Sequence, residues 1–304
     1  MKIVLFGCQQ IAVDVLKFLF ERNDVDLSLV ITYELPLDKT YGYTSVLEYC
    51  SERKIPVINP KSLTDDMVKT VFEIEPDIIL SIYYRKILPQ SLIDCPKFGC
   101  INIHPSILPY YRGPVPTAWA IENGENEFGI TIHYMDYSID TGDILIQKKY
   151  PILDNETGYE LYTRAMKLGA NLFINSYDDI VSGKIVSRPQ VGEGSYYGKK
   201  DGKYVIDWKQ SASEIMNLIR VHAKPFNPAE TILFNKYVLI NRVEKYNLPG
   251  APLQGGGVLV KILHENQFVV SCADGYLRVV DYEIAPLITE EEKKTYLIEG
   301  NRFG

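Results

Sequence analysis

A chain of 304 residues with 46% hydrophobic and 23% charged content has the make-up of a globular protein long enough for two domains. Its formal net charge of −7 argues against a dedicated surface for wrapping nucleic acid, which needs clustered Lys and Arg to displace counterions. No apolar stretch approaches a membrane span, the run at residues 2–6 is too short for a signal sequence, and five cysteines without a CxxC pair (Cys8, Cys50, Cys95, Cys100, Cys272) fit buried thiols in the cytoplasm.

Residues 2–6 read as a strand, and residues 11–22 carry apolar positions (Ile11, Val15, Leu16, Phe18, Leu19) on one helical face. The turn between them, Gly7-Cys-Gln-Gln-Ile-Ala12, has one glycine where a dinucleotide site would carry three, which argues against nicotinamide binding. Strands at residues 25–32, 57–58 and 78–83 alternate with helical segments at 44–54 and 63–74, predicting a Rossmann-like, doubly wound, mostly parallel sheet of the α/β class. A loop at residues 83–89 and a short helix at 90–93 follow. A short apolar strand ending at His104, a strand at residues 130–135 with Thr131, His133 and Met135 on one side, a polar loop at 136–141 and a strand at 143–150 come next. Thr157-Gly-Tyr-Glu160 is a capping-box pattern opening a long helix to about residue 181, which closes a first domain at residues 1–186.

Residues 187–205 are rich in Gly, Ser, Lys and Tyr without periodicity and read as a linker. Residues 206–304 then form a small domain: a helix capped by Ser211-Ala-Ser-Glu214, stopped by Pro225 and Pro228, and five short strands at 231–234, 237–243, 257–263, 268–273 and 276–282. That order suggests a helix plus a small open, OB-like β-barrel, with residues 276–284 as an edge strand through which a homodimer could pair.

The candidate chemistry lies in Gly99-Cys-Ile-Asn-Ile-His-Pro-Ser-Ile-Leu-Pro-Tyr-Tyr-Arg-Gly-Pro-Val-Pro116, answered by Ile139-Asp140-Thr141-Gly142. Strand periodicity puts Asn102 and His104 on one side of a strand end, where α/β proteins place reactive groups. An imidazole can polarise or protonate a developing oxyanion, an amide can donate a second hydrogen bond, and a carboxylate such as Asp140 can orient the imidazole. The set suits attack of an amine on a carbonyl carbon. Ser106 lies in a Pro-flanked turn without a glycine elbow, so direct transfer is favoured over a covalent intermediate. His104, His133, His222 and His264 lack metal-site spacing, so no metal is expected. Plain alternatives stand beside each residue: a hydrogen-bonded structural His104, a turn-forming Asp140, packing roles for Tyr83, Tyr84, Tyr110 and Tyr111, and a loop-capping rather than phosphate-binding Arg112.

Asn102-Ile-His104-Pro-Ser-Ile-Leu-Pro109, Arg112-Gly113, Pro116 and Asp140-Thr-Gly142-Asp-Ile-Leu145 resemble the formyltransferases that use N10-formyltetrahydrofolate. The resemblance covers nearly the whole chain, with Ile206-Asp-Trp208, Ile219-Arg220 and the strand-rich tail similar to the second domain of the methionyl-tRNA formyltransferase group. It implies that Asn102 donates on the oxyanion side, that His104 polarises the formyl group and handles the proton, and that Asp140 is its partner. It also implies a folate loop of Tyr84, Arg85, Lys86, Ile87 and Leu88, with Lys86 to Leu88 contacting the pterin through the backbone beside Asp136, Tyr137, Ser138 and Ile139. A neutral amine would attack the formyl carbon, a tetrahedral intermediate would collapse and tetrahydrofolate would leave, without a metal.

Two acceptors are weighed. Methionyl-tRNA formyltransferases usually carry a basic insertion after the second strand, whereas residues 32–54 here hold Glu34, Asp38, Glu48 and Glu52 against Lys39, Arg53 and Lys54. Nucleotide-sugar N-formyltransferases, the 4-amino-4-deoxyarabinose type among them, resemble the chain without needing a polyanion groove. The expected acceptor is therefore the amine of a nucleotide-diphosphate-linked sugar, with Arg112, Tyr110 and Tyr111 binding it. Transfer to tRNA is the alternative, and a folate-binding protein without catalysis is a third reading.

Overall fold

The structure, a computed structural model, describes residues 1–199, 202, 204–249, 255–263 and 267–304. His264, weighed above as a metal ligand, and Lys200, Asp201 and Lys203 of the expected linker lie outside the described residues.

The chain first builds β1 (Lys2–Gly7), α1 (Gln9–Phe20), β2 (Asp26–Ile31), α2 (Pro36–Thr40), α3 (Val46–Glu52), β3 (Val57–Ile58) and α4 (Asp65–Ile74). Next come β4 (Ile78–Ile82), α5 (Gln90–Ile93), β5 (Cys100–His104), α6 (Pro116–Glu122), β6 (Glu127–Tyr134), β7 (Ile144–Pro151) and α7 (Gly158–Val181). The strands form one seven-stranded sheet in the order β3-β2-β1-β4-β5-β6-β7. It is parallel from β3 to β5 and antiparallel where β6 meets β5. Strands covered on both faces read as unbroken apolar runs, and Ile3, Val4, Leu5 and Phe6 of β1 are fully buried. The chain winds outward from β1 to β3 and returns to β4 on the other side of β1. Ligands of such sheets bind beyond the strands' carboxyl ends near that reversal, and the loops after β4 and β5 leave from this end.

Local signals set the helix starts. Thr64 and Ser45 accept from the amides of Met67 and Glu48 at the heads of α4 and α3, and Thr157 and Glu160 exchange bonds at the head of α7. The helix α6 was not expected from the Pro-rich run before it. It begins at Pro116, whose missing N–H costs nothing in a first helical turn.

The later chain forms α8 (Ala212–His222), β8 (Ala229–Leu233), β9 (Lys236–Tyr246), β10 (Leu259–Ile262), β11 (Phe268–Ser271), β12 (Tyr276–Ala285) and α9 (Glu290–Tyr296). A five-stranded antiparallel sheet in the order β10-β11-β12-β9-β8 wraps Trp208, Ile215, Ile219, Phe268 and Phe303. The C-terminal residues bridge its two edges, Phe303 pairing with Leu233 and Arg302 with Val258, so the barrel is closed by the tail rather than left open. The expected edge strand at 276–284 is corrected: β12 lies between β11 and β9, with both sides hydrogen-bonded, and has no free edge to offer a second copy.

The chain divides into two compact units, one of Met1–Pro116, Phe128–Tyr150 and Thr163–Gly198, the other of Thr117–Glu127, Pro151–Tyr162 and Lys199–Gly304. The expected boundaries were 1–186 and 206–304 with a linker at 187–205. Residues 187–198 belong instead to the first unit, held there by backbone pairing described below.

Candidate active site

Antiparallel register between β5 and β6 sets the centre of the site. Asn102 pairs directly with His133 and His104 with Thr131, so these four side chains share one face. The ring of His133 is fully buried, and its Nδ1–H donates to the backbone oxygen of Tyr134 at 2.7 Å. That leaves Nε2 as an acceptor for the Asn102 amide at 3.0 Å. Burial pushes the His133 imidazole down to about 4, against the opposing pull of Asp140 and with the aid of nearby His104, so the ring is neutral at physiological pH.

His104 is 6% exposed and has both nitrogens faced by protein atoms. Its Nε2 lies 2.9 Å from the carbonyl oxygen of Tyr111, and a carbonyl only accepts, so the proton sits on Nε2. Its Nδ1 lies 3.5 Å from Asp140 Oδ2. Asp140 joins the whole cluster. Its Oδ2 also accepts from the Gly113 amide at 2.9 Å, while Oδ1 accepts from Asn102 Nδ2 at 3.3 Å and lies 3.7 Å from His133 Nε2. The sequence expectation that Asn102, His104 and Asp140 form one set therefore meets a structure that brings them together. The Asn102 amide donates to both His133 Nε2 and Asp140 Oδ1, bridging the two.

The loops that carry these groups hold unusual backbone. Tyr111 and Asp140 lie at φ 59 and 56, and β-branched Val115 at φ 51, a conformation kept only where the surroundings over-determine it. Gly142 permits the Asp140 turn to close, because a Cβ there would sit 1.9 Å from the Tyr134 carbonyl oxygen. Ser106 is buried, and its hydroxyl donates to the Tyr110 carbonyl at 2.8 Å, consistent with a turn former rather than a nucleophile.

The expected folate loops separate into anchors and free faces. Arg85 forms a two-pronged ion pair with Asp38 at 2.7 and 2.6 Å and also donates to the Tyr33 carbonyl, so its guanidinium braces the loop. Burial works to raise the Asp38 carboxyl, but Arg85 and the Leu35 amide outweigh it and hold it below the ordinary carboxylate range. Lys86 donates to the carbonyls of Pro60 and Lys61 and lies over the Tyr33 ring at 3.8 Å. Leu88 is in the core, in one cluster with Cys100 and with Tyr84 and Met135 packed against it, so the loops after β4 and β6 share a root. Asp136 folds its own loop, its Oδ1 accepting from the Ser138 amide and the Thr141 hydroxyl. The side chains of Arg85, Lys86 and Asp136, expected near the cofactor, are thus committed within the protein. Ile87 and Tyr137 are by contrast 80% and 85% exposed, Ile139 is exposed, and the buried Tyr84 hydroxyl has no hydrogen-bond partner among the described residues. Ile87, Tyr137 and Ile139 thus leave apolar surface uncovered on two loops with a common root, a feature suited to a flat ligand.

Tyr110 is exposed, whereas the Tyr111 ring stacks on Tyr197 with centroids 5.0 Å apart. Arg112 directs Nε and one Nη at the Gln190 side-chain oxygen, at 3.2 and 2.7 Å. Residues that sequence reasoning missed are His133, Gln190 and Ser195, the last accepting from the Tyr111 amide at 2.9 Å. Among the described residues no group of three His, Cys, Asp or Glu side chains is arranged to hold a metal ion, and no helix is long and apolar enough to cross a membrane. Cys8, Cys50, Cys100 and Cys272 are buried free thiols, and Cys95 is half-buried.

Residues 2–176 match the family model described as formyl transferase, and residues 199–292 match that of the formyl transferase C-terminal domain. The methionyl-tRNA formyltransferase of Thermodesulfovibrio yellowstonii is 35% identical over 302 residues, spanning 96% of this chain and 92% of that protein. Among solved structures, WlaRD, a sugar 3N-formyltransferase studied with dTDP and 5-N-formyl-THF, superposes with a TM-score of 0.71 at 26% identity, covering 95% of this chain and 99% of that one. An N-formyltransferase from Helicobacter canadensis, in complex with folinic acid and dTDP-3-aminofucose, has a TM-score of 0.72 at 24% identity over 93% of this chain and 99% of that one, a likeness of fold.

Proposed function

Starting from the chain's membership of the formyl transferase family, enzymes that take a formyl group from N10-formyltetrahydrofolate, we propose that its acceptor is the amine of a nucleotide-diphosphate-linked sugar. The observation that carries this reading is the use made of charge after β2. Asp38 is consumed by Arg85, and Glu34 accepts from the Ser45 hydroxyl and the Leu47 amide at the head of α3. Arg53 stacks on Tyr49 and pairs with Glu52. These groups build local structure, and among the described side chains of this segment no cluster of cations faces a tRNA stem. A small acceptor with one diphosphate needs far less positive charge, and the similarity to WlaRD supports the same class. The free thiols suit action in the cytoplasm.

Tyr84, Ile87, Tyr137 and Ile139 would hold the formyl donor, which supplies an activated formyl carbon. His104 holds a proton at Nε2, presented to the Tyr111 carbonyl. A ligand oxygen that displaces this carbonyl receives the same hydrogen bond. A proton arriving at Nδ1 is met by Asp140, and Asn102 together with the Gly113 amide keeps that carboxylate in place. Tyr110 and the nitrogen edge of Arg112 not taken by Gln190 stand beside this loop as acceptor contacts.

Transfer to charged initiator tRNA is the second reading, favoured by the 35% identity to the Thermodesulfovibrio yellowstonii enzyme. Incubation with N10-formyltetrahydrofolate and either a panel of amino-sugar nucleotides or methionyl-tRNA, with products read by mass spectrometry, tests the choice. A formylated sugar nucleotide is expected. Formylation of tRNA alone would overturn the proposal, and no turnover with any amine would favour a folate-binding role.

A further inference from the structure

The segment after α7, expected to be a linker, is instead strapped to the loops that carry the site. Arg188 pairs with Ile144 at the start of β7, and Tyr196 pairs with Arg112. Between these bridges the Ser195 amide donates to the Pro109 carbonyl, while the Ser195 carbonyl and hydroxyl accept from the amides of Arg112 and Tyr111.

From this strap Gln190 reaches the two loops that carry the site. Its Nε2 donates to the carbonyl oxygens of Asp140 at 2.8 Å and Gly142 at 2.9 Å. Its Oε1 accepts from Arg112 Nε and Nη2. The amide's orientation is fixed by chemistry, since carbonyls only accept and a guanidinium only donates. Glu cannot supply the donor end, Met supplies neither end, and Lys or Arg cannot supply the acceptor end.

We propose that Gln190 is a positioning residue, which holds the Asp140 turn against His104 and sets Arg112 at the edge of the same site. Asp140 lies in left-handed backbone, and its Oδ2 stands 3.5 Å from His104 Nδ1, just beyond hydrogen-bond length. A small drift of the turn would break that approach, whereas two bonds from one amide to the carbonyls at 140 and 142 resist it. The inference rests on the reading of His104 and Asp140 as the reacting residues.

The test uses Gln190→Glu and Gln190→Met, each alone and combined with Asp140→Asn, in the full-length enzyme. The readouts are kcat and acceptor KM with the amine that the wild-type enzyme formylates, the affinity for 5-formyltetrahydrofolate, and the thermal midpoint. Gln190→Glu keeps an acceptor for Arg112 and loses the donor to the Asp140 turn. It should lower kcat on the order of 10- to 100-fold, as misplacement of a reacting group does, with folate affinity and midpoint near wild type. Gln190→Met should lower kcat similarly and also raise acceptor KM, because Arg112 is released. In the Asp140→Asn background neither change should lower kcat much further, since the group being positioned is already gone, while Gln190→Met should still raise acceptor KM. Equal losses of kcat in both backgrounds, or a Gln190→Glu enzyme at the wild-type rate beside an impaired Asp140→Asn enzyme, would overturn the proposal. An Asp140→Asn enzyme at the wild-type rate would instead overturn the reading of the site on which it rests.

Discussion

The buried imidazole of His133 makes the stability of the catalytic unit depend on pH in a defined window. Its folded value of about 4 lies below the ordinary 6.5, chiefly because burial disfavours the charged ring. The unfolded chain therefore binds this proton first. Above pH 6.5 both states are neutral and the group adds nothing to the pH dependence. As pH falls from 6.5 towards 4 the unfolded state gains protons that the folded state refuses, and stability is lost at up to about 1.4 kcal/mol per pH unit. The gap between about 4 and 6.5 corresponds to about 3 kcal/mol over the window. His133→Gln removes the titration and keeps an acceptor for Asn102. Urea unfolding followed by circular dichroism from pH 7.5 to 4.5 should show the wild-type enzyme losing stability relative to the variant, with the curves parallel above pH 6.5. The sequence has four histidines, so the ring carbon signal of His133 can be assigned by this same substitution and titrated by NMR. Parallel stability curves throughout, or a ring titrating near 6.5, would refute the reasoning.

Replacing His104 by Asn should lower kcat by about 100-fold or more while the affinity for 5-formyltetrahydrofolate, measured by calorimetry, changes little, because the proton-handling role proposed for it is exerted in the transition state. Arg85→Met removes the brace on the loop after β4 and leaves Asp38, which is 8% exposed, without its cation. Thermal and urea unfolding should register a loss of about 2–4 kcal/mol, accompanied by weaker folate binding. Gly142→Ala drives a Cβ into the Tyr134 carbonyl, so the Asp140 turn must move, and turnover should fall more steeply than the melting midpoint.

Much of this arrangement was legible in the sequence where local rules act alone. Period-two alternation put Asn102 and His104 on one side of a strand, and the capping patterns at Thr157 and Ser211 marked real helix starts. Partners distant in sequence were not legible. His133 alternates onto the same face as Thr131, yet only the antiparallel register of β6 against β5 sets it opposite Asn102. The side chains of Arg85 and Lys86 are spent on Asp38 and on the carbonyls of Pro60 and Lys61, partners from other loops that no local pattern reveals. A segment without periodicity looks the same whether it crosses solvent or is strapped to other loops by its backbone, which is why Gln190 and Ser195 read as linker. The supposed edge strand β12 is interior because the chain lays β9 on one side of it and β11 on the other, an order no hydropathy pattern encodes.

The direct test of the central claim is a comparison of kcat/KM for amino-sugar nucleotides and for methionyl-tRNA, with one enzyme preparation and saturating N10-formyltetrahydrofolate. A chain whose Glu34, Asp38 and Arg53 after β2 are spent on its own structure should formylate at least one sugar nucleotide with the higher kcat/KM. A higher value for methionyl-tRNA than for every sugar nucleotide would contradict the account.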